Sequence, residues 1–315
     1  MRAVVLRAFG PPANLVAEEV PDPRAGPGQV LIDVEAASIT FVETQIRGGR
    51  PPHARMAPAL PAVLGNGVGG VVTEAADGVD RALLGRRVVT TTGGTGGYAE
   101  RVTVDAGLPI AVPDGVDLAA ATALLADGRT ALSLMDAAAV RPGETVLVEA
   151  AAGGVGGLLV QLARDAGARV VAIAGGERKL AHARRLGADI ALDYTRTGWA
   201  AHTGAGGVDV VFDGVGGAVA AEAFALVRPG GRFVAFGMAS GAFVGAQDEG
   251  AGVSLVRGVA LTPERSRALS ARALAEAAAG RLVATIGQTF ALEHAADAHA
   301  AIESRATIGK TLLLA

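Results

Sequence analysis

A glycine-rich stretch in the middle of the chain contains the residue types that point most directly to chemistry. Residues 144–163 read Glu-Thr-Val-Leu-Val-Glu-Ala-Ala-Ala-Gly-Gly-Val-Gly-Gly-Leu-Leu-Val-Gln-Leu-Ala, which predicts a buried strand, a glycine turn and the start of a helix. The N–H groups at such a helix N-terminus bind the pyrophosphate of a dinucleotide. Ala151 stands where the usual G-x-G-x-x-G pattern has its first glycine, so a tight strand-to-helix turn without a ligand is the alternative.

The glycines of this stretch have separate expected roles. Gly153 and Gly154 are expected to leave room for a ligand to approach the backbone, and Gly156 and Gly157 to let the helix pack close to the sheet. A turn with these roles requires alternating strands and helices around it.

The segments around the glycine turn meet that requirement. Two helices are predicted before it, Asp117–Leu125 and Thr130–Ala138. The strands predicted after it are Arg169–Ala174, Ile190–Leu192, Val208–Asp213 and Gly231–Phe236. The later helices are predicted at Arg178–Leu186, Ala218–Leu226, Ser266–Ala279 and His294–Glu303. This alternation indicates an α/β domain with a parallel, doubly wound sheet of the Rossmann type.

The N-terminal third has a different pattern, in which short β-rich segments alternate with glycine and proline turns. These segments are Arg2–Leu6, Gln29–Ala36, Ala62–Thr73, Arg86–Thr91 and Tyr98–Val104. They predict a compact β domain. The last apolar segment, Lys310–Leu314, is a predicted strand that could return to this domain.

Composition excludes several classes of function. The chain has 315 residues, half of them apolar, a formal net charge of −3 and no cysteine. Its length favours two domains. The missing thiols exclude disulfides, thiolate zinc sites, iron–sulfur clusters and a cysteine nucleophile. No basic block suggests nucleic-acid binding. No apolar run of about 20 residues predicts a membrane span, and Arg7 interrupts the N-terminal apolar run too early for a signal peptide, so a cytoplasmic location is expected.

Several short motifs occur in a characteristic order along nearly the whole chain. They are Ser38–Arg47, Leu64–Gly70, Gly96–Glu100, Ala150–Gly156, Asp213–Gly216, Phe236–Gly241 and Glu303–Thr307. In this order and spacing the chain resembles the zinc-independent quinone oxidoreductases of the medium-chain dehydrogenase/reductase superfamily. The resemblance implies a GroES-like β domain (1–118 and 263–315) interrupted by a Rossmann domain (119–262), with the active site in the cleft between them.

Two departures from related patterns bear on the chemistry. Zinc-dependent relatives carry Gly-His-Glu where this chain has Gly65-Asn66-Gly67, and neither Asn66 nor Gly67 supplies an N or S ligand for tetrahedral zinc. No catalytic metal is therefore expected. The family's Asn-Phe-x-Asp reads Thr40-Phe-Val-Glu43 here, and Thr40 has no amide to reach the nicotinamide. The tyrosine often found two residues after the acid is Gln45.

The expected cofactor is NADPH. NAD enzymes place an acid at the tip of the second strand of the fold, but Arg169–Ala174 ends in two glycines, with Glu177 only beyond them. By resemblance, Lys179 and Tyr194 hold the 2′-phosphate and Arg178 adds a second cation; the alternative is a solvated helix start, and an inward Glu177 would favour NADH. The remaining cofactor residues expected from the resemblance are Thr40, Thr130, Ala152, Gly153, Gly154, Val155, Gly156, Gly175, Val215, Phe236, Gly237, Met238 and Arg305.

No residue is expected with certainty to be catalytic. Thr40, Gln45 and His53 are candidates for lining the acceptor pocket, since the loop around His53 borders the substrate cleft in the family. The histidines, which are His53, His182, His202, His294 and His299, show no metal-ligand spacing, and each is predicted to lie on the surface or in a loop. Tyr98 is expected to be structural. Ser38, Ser240 and Ser254 lack a G-x-S-x-G elbow, which argues against a serine hydrolase.

Three functions are compatible with these features. The first is NADPH-dependent reduction of a quinone or another conjugated carbonyl by direct hydride transfer. An enoyl reductase acting on an acyl or polyketide-type enone is the second, and a non-catalytic NADPH-binding protein or redox sensor is the third. A homodimer is expected through Val253–Leu261, whose strand character would place it near a sheet edge that a twin strand can cover.

Overall fold

The computed structural model describes residues 1–242, 252–257 and 260–315. These residues form two compact units, one of Met1–Ala126 with Ser270–Ala315 and the other of Asp127–Leu269. We call them the β unit and the α/β unit. The chain therefore leaves the β unit once and returns to it. Within the described ranges, no helix combines the length and apolar character needed to cross a bilayer.

The β unit is built mainly from antiparallel strands. Its strands are β1 (Arg2–Leu6), β2 (Leu15–Glu19), β3 (Gln29–Ile39), β4 (Ala62–Val63), β5 (Gly67–Ala75), β6 (Arg87–Thr91), β7 (Arg101–Asp105), β8 (Ile110–Ala111), β15 (Ile286–Ala291) and β16 (Lys310–Leu314). One sheet has the order β2-β1-β4, and a larger one has the order β15-β16-β3-β5-β6-β8 with β7 also paired to β3. The helices α1 (Phe41–Arg47) and α7 (Ala295–Glu303) belong to this unit.

The C-terminal strand closes the β unit, as the sequence indicated. β16 pairs antiparallel with β3, with Leu312 opposite Ser38, and pairs parallel with β15. The side chains of Leu312 and Leu313 are fully buried. Burial of these apolar side chains, at roughly 1.5–3 kcal/mol each, holds the C-terminal segment against the N-terminal strands.

One predicted strand, Ala62–Thr73, is in fact two strands in different sheets. The chain breaks at Gly65, whose φ of +96° lies in the left-handed region that favours glycine. A Cβ at Gly65 would also lie 2.4 Å from the ring of Tyr98. Close packing against an aromatic ring therefore ends β4 and sets the start of β5.

The α/β unit has a six-stranded parallel sheet of order β11-β10-β9-β12-β13-β14, which confirms the predicted doubly wound architecture. The strands are β9 (Thr145–Val148), β10 (Arg169–Ala174), β11 (Ile190–Asp193), β12 (Val208–Asp213), β13 (Val227–Ala235) and β14 (Ser254–Arg257). The helices α3 (Gly154–Asp165), α4 (Glu177–Leu186) and α5 (Gly217–Phe224) connect them. Valines, leucines and phenylalanines of the central strands form the core.

Two further helices are α2 (Leu118–Ala138) and α6 (Pro263–Ala278). The sequence predicted two helices where α2 is one, because Gly128 interrupts the helical pattern. A glycine within a helix costs about 1 kcal/mol relative to alanine. The buried apolar side chains on both sides of it, among them Leu124 and Leu132, outweigh that cost.

Two histidines predicted to lie on the surface or in loops are instead buried in helices. His299 in α7 is fully buried, and its Nε2 lies 3.1 Å from the Tyr98 hydroxyl. Burial lowers the pKa of His299 to about 3, so the ring is neutral at physiological pH. His182 in α4 is also buried. The prediction was therefore wrong for these two residues, whereas Tyr98, expected to be structural, is fully buried.

Candidate functional site

The turn between β9 and α3 is very tight. Ala150 has a φ of +47°, and its carbonyl accepts a hydrogen bond of 2.8 Å from Gly153 N–H. A Cβ at Gly156 would lie 2.2 Å from the same carbonyl oxygen. At Gly157, a Cβ would lie 3.0 Å from Leu186 of α4. These two glycines therefore allow the close packing of α3 that the sequence predicted.

The two glycines before them differ from each other. A Cβ at Gly153 would meet only the Ala150 carbonyl within 4 Å, so the space beside it is open to a ligand. At Gly154, a Cβ would lie 1.9 Å from Oδ2 of Asp127, which is itself buried. The space at Gly154 is thus filled by a carboxylate from α2 rather than left for a ligand, which corrects the sequence-based reason for this glycine. An acid at this point also interacts favourably with the N-terminus of α3.

Two buried carboxyl groups stand at the carboxyl ends of the neighbouring strands β9 and β12. Glu149 follows β9, Asp213 ends β12, and both are fully buried. The Val215 N–H donates to Glu149 Oε2 at 3.0 Å and to Asp213 Oδ1 at 3.1 Å. Gly216 N–H donates to the same Asp213 oxygen at 2.7 Å. The two acids therefore fix the loop that contains Val215, an expected cofactor residue.

Burial of these two acids favours the protonated form of at least one of them. Glu149 Oε1 and Asp213 Oδ2 are buried without an N–H or hydroxyl donor. Burial raises the pKa of Glu149 well above its usual range, and the charge of Asp213 raises it further. Burial also raises the pKa of Asp213, although a hydrogen bond from Glu149 and the two backbone donors oppose this. The raised pKa of Glu149, and the backbone hydrogen bonds that Asp213 accepts, favour placing a proton on Glu149.

The other end of the candidate cofactor site lies where β10 and β11 end side by side. Ala174 pairs with Asp193, so Gly175 lies next to Tyr194, and a Cβ at Gly175 would be 3.6 Å from the Tyr194 hydroxyl. Arg178 and Lys179 lie in the first turn of α4, Arg178 exposed and Lys179 half-buried. The structure thus brings these residues, which the sequence assigned to the 2′-phosphate, to one edge of the sheet.

The acids at this end are engaged elsewhere. Glu177 is exposed and forms an ion pair with Arg184 farther along α4. Asp193 Oδ1 accepts hydrogen bonds from Thr195 N–H at 3.0 Å and Thr195 Oγ1 at 2.7 Å, and the hydroxyl bond lowers the pKa of Asp193. Both carboxylates thus have protein partners at this edge of the sheet.

The segment after β13 joins the same edge. Phe236 N–H donates to the Asp213 carbonyl at 2.8 Å, and Gly237 N–H donates to it at 3.2 Å. A Cβ at Gly237 would lie 2.6 Å from the Gly214 carbonyl oxygen, so the two loops are in close contact. Phe236 and Thr130 line a pocket of about 340 Å³ within the α/β unit. The expected cofactor residues from 130, 152–156, 215 and 236–238 thus share this unit.

The candidates in the β unit have structural contacts of their own. Thr40 precedes α1, and its N–H and hydroxyl donate to Glu43 Oε2 at 2.5 and 3.1 Å. Gln45 is half-buried on α1, and His53 is exposed in the loop that follows. Arg305 is exposed just after α7, with a φ of +57°. Their expected contacts with cofactor or acceptor stay predictions.

The residues at the zinc position do not fit a zinc ion. Asn66 donates its N–H to Glu43 Oε1 at 2.9 Å and accepts from Gly94 N–H at 2.8 Å through its side-chain oxygen. A Cβ at Gly67 would lie 2.7 Å from Ser38 Oγ, so a larger ligand residue has no room there. Among the described residues, no group of three histidine or acidic side chains is placed to hold a metal ion. The groups available at Asn66 and Gly67 are thus a side-chain amide and backbone atoms, which are not ligands of a tetrahedral zinc site.

Sequence analysis missed the carboxyl pair. A glutamate within an otherwise apolar strand end, and an aspartate ending another buried strand, were the available signals. Because β9 and β12 turned out to be neighbours, the two signals belong to one site.

Comparison with known proteins agrees with this fold. Residues 26–114 match the alcohol dehydrogenase GroES-like domain, and residues 186–313 match the zinc-binding dehydrogenase family. These matches, together with the parallel sheet, define a medium-chain dehydrogenase/reductase.

Three relatives define the class more narrowly. The chain is 34% identical to a 2-haloacrylate reductase of a Burkholderia species over 99% of its length and 98% of the relative's. It is 31% identical to a quinone oxidoreductase of Pseudomonas aeruginosa over 99% of both. The Escherichia coli quinone oxidoreductase in complex with NADPH superposes with a TM-score of 0.91 at 27% identity, covering 100% of both chains. The chain belongs to the quinone oxidoreductase family and is an oxidoreductase.

The buried carboxyl pair predicts a specific effect of pH on stability. Because the pKa of Glu149 is raised in the folded protein, the native state keeps a proton that the unfolded chain releases above pH ~4.5, so stability falls as pH rises from there. Glu149→Gln supplies a permanent N–H to Asp213 and keeps an acceptor for Val215. We expect it to raise the free energy of unfolding at pH 8 by about 1–2 kcal/mol and to match wild type near pH 4.5. Urea unfolding between pH 4.5 and 8 measures this.

Glu149→Ala is the control, because it removes both the proton and the acceptor and should be destabilised at every pH. Parallel stability curves for wild type and Glu149→Gln would show that Glu149 is ionised in the folded protein, contrary to our assignment.

Proposed function

We propose that the protein reduces quinones or other conjugated carbonyl compounds with NADPH, without a metal ion. The observation that carries this proposal is the carboxyl edge of the α/β unit. At that edge, three features follow neighbouring strands of one sheet: the tight glycine turn after β9, the loop at Val215 after β12, and the first turn of α4, with its two cations, after β10. Ligands of open α/β sheets bind at this edge.

NADPH rather than NADH fits the charges at the 2′-phosphate end. Arg178 and Lys179 supply cations, and Tyr194 supplies a hydroxyl. Glu177, which would repel a phosphate, is occupied by Arg184. The structural relative that binds NADPH supports the same choice. Charge-assisted contacts to the phosphate would discriminate against NADH, which lacks it.

Bound NADPH would supply the hydride. The chain's own contribution is to hold the dinucleotide along the glycine turn and the loops at Val215 and Phe236. This places the donor and acceptor together and excludes water. On the family resemblance, we assign Thr40, Gln45 and His53 to the acceptor pocket. No side chain stands out as a general acid, so we assign the proton to water.

Metal independence follows from the donor set at Asn66 and Gly67, which offers neither imidazole nor thiolate. A Lewis acid is not needed for this acceptor class, because quinones and enones are electrophilic enough to accept a hydride directly.

A second candidate function is reduction of an activated carbon–carbon double bond in an unsaturated acid. The relative named as a 2-haloacrylate reductase favours it. The same hydride chemistry serves both acceptors, so the difference between the two functions lies in the pocket that receives the acceptor.

We also propose that the protein is a homodimer. β14 is the edge strand of the parallel sheet and pairs with β13, so its other edge is open among the described residues. Such an edge is a liability that pairing with a twin strand removes. Residues 258 and 259 of the segment expected at this interface lie outside the described residues.

A panel of quinones, enones and a 2-haloacrylate tests the proposed activity. With NADPH present, we expect oxidation of the cofactor to depend on at least one of these acceptors. EDTA should leave turnover unchanged, and elemental analysis should find no stoichiometric zinc. Tight NADPH binding without turnover of any acceptor would favour a non-catalytic protein, and activity that EDTA removes and zinc restores would contradict the metal-independent reading.

Replacing both Arg178 and Lys179 with alanine tests the cofactor assignment. We expect NADPH binding to weaken by about 2–4 kcal/mol, because two charge-assisted contacts are lost and are not fully additive. NADH binding should barely change. Fluorescence titration measures both, with Arg185→Ala, later on the same helix, as the control. Equal weakening of both cofactors would remove these residues from the 2′-phosphate site.

Light scattering with NADPH present tests the assembly. We expect the mass of two chains at micromolar concentration. A mass near one chain would rule out the dimer and leave the edge of β14 to be covered in some other way.

A further inference from the structure

An arginine lines the pocket of the α/β unit and forms no hydrogen bond or ion pair with any of the described residues. Arg129 lies on α2, one turn before Ser133, and both face the pocket together with Thr130 and Phe236. The pocket volume of about 340 Å³ is in the range of small-molecule sites. Arg129 is half-buried, so its charge is partly withdrawn from water.

Two other arginines of the α/β unit form ion pairs, which distinguishes Arg129 from them. Arg265 forms an ion pair with Asp136, and Arg232 forms one with Glu144 at 2.5 Å. Among the residues that the structure describes, Arg129 has no hydrogen-bond or ion-pair partner. Burial lowers the pKa of Arg129, while the more distant Asp127 opposes this shift. A guanidinium stays charged under such conditions, and its donors are left for a ligand.

The polar groups around Arg129 suit an anion. Ser133 and Ser266 bring hydroxyls to the pocket, and Ser266 lies near the N-terminus of α6, whose N–H groups favour negative charge. Thr262 Oγ1 accepts from Arg265 N–H at 3.2 Å and so caps that helix. A planar guanidinium binds a carboxylate through two parallel hydrogen bonds.

The position of the pocket relates this cation to the acceptor. Phe236 follows β13 at the carboxyl edge of the sheet, where the loops expected to hold the dinucleotide also lie. We propose that the acceptor is a small α,β-unsaturated carboxylic acid and that Arg129 binds its carboxylate. This inference rests on the proposed reductase function and narrows its acceptor class.

The chemistry agrees with a cation at that point. Reduction of such an acid adds a hydride from NADPH at the carbon β to the carboxylate and a proton from water at the α carbon, while the double bond becomes single and NADPH becomes NADP⁺. The electron pair of the double bond moves toward the carboxylate oxygens before the proton arrives. A guanidinium bound to those oxygens stabilises this charge.

The test uses two acceptors, a 2-haloacrylate and its uncharged methyl ester. Wild type, Arg129→Met and Arg129→Lys are each compared on both, and every variant is referred to wild type on the same acceptor. Methionine keeps the apolar stem but removes the charge. We expect Arg129→Met to lower kcat/KM for the acid on the order of 10- to 100-fold while the ester changes less than about twofold. Arg129→Lys should lie between. Arg265→Gln, which removes a neighbouring but paired arginine, should match wild type on both acceptors.

Two further measurements separate this inference from the proposed function. The Kd for NADPH should be unchanged in Arg129→Met; a tenfold rise would assign Arg129 to the cofactor and overturn the proposal, as would equal losses with acid and ester. Calorimetric titration of the saturated 2-halopropanoate into the NADP⁺ complex should show binding that Arg129→Met weakens. If 2-halopropanoate binds wild type and Arg129→Met weakens this binding, but no acceptor is turned over, the carboxylate site is supported and the reductase function is refuted. If no binding to wild type is detected, the carboxylate site is refuted.

Discussion

The carboxyl edge of the parallel sheet depends on two acids that share a buried space and one proton. Among the described residues, neither Glu149 nor Asp213 forms an ion pair with a cation, so burial of both favours a neutral form of one of them. Glu149 Oε2 and Asp213 Oδ1 accept hydrogen bonds from the N–H groups of Val215 and Gly216. These bonds hold the loop after β12 against both acids. The segment at Phe236 is then placed through hydrogen bonds to the Asp213 carbonyl.

Which ligands can bind at this edge depends on which of its charged side chains already have partners in the protein. Glu177 and Asp193 are engaged by neighbouring groups, so they do not compete for a ribose or repel a phosphate. Asp127 fills the space beside Gly154, so the open approach to the glycine turn lies at Gly153. Arg129 lines the pocket, and its donors have no partner in the part of the chain that the structure describes. This distribution favours a phosphorylated dinucleotide at one end of the sheet and, in our proposal, an anionic acceptor at the other.

The sequence predicted most of the elements because their signals are local. The strands Arg2–Leu6, Arg169–Ala174 and Val208–Asp213 were predicted to the residue, since hydrophobic runs bounded by turn residues define them. Errors arose where tertiary packing overrides local preference: helix α2 continues through Gly128, and His299 is buried beside Tyr98. The carboxyl pair was missed for a similar reason. The sequence around either acid does not show that β9 and β12, which are far apart in the chain, become neighbours. The two acids come together only because these strands pair.

Isotope-edited infrared spectroscopy of protein labelled with ¹³C at the side-chain carboxyls tests the shared proton most directly. At pH 7 we expect the carbonyl stretch of a protonated glutamate that disappears in Glu149→Gln and persists to a pH well above the ordinary glutamate pKa of about 4.3. A wild-type spectrum at pH 7 from which Glu149→Gln removes no such band would contradict the account, because the buried pair would then carry two negative charges.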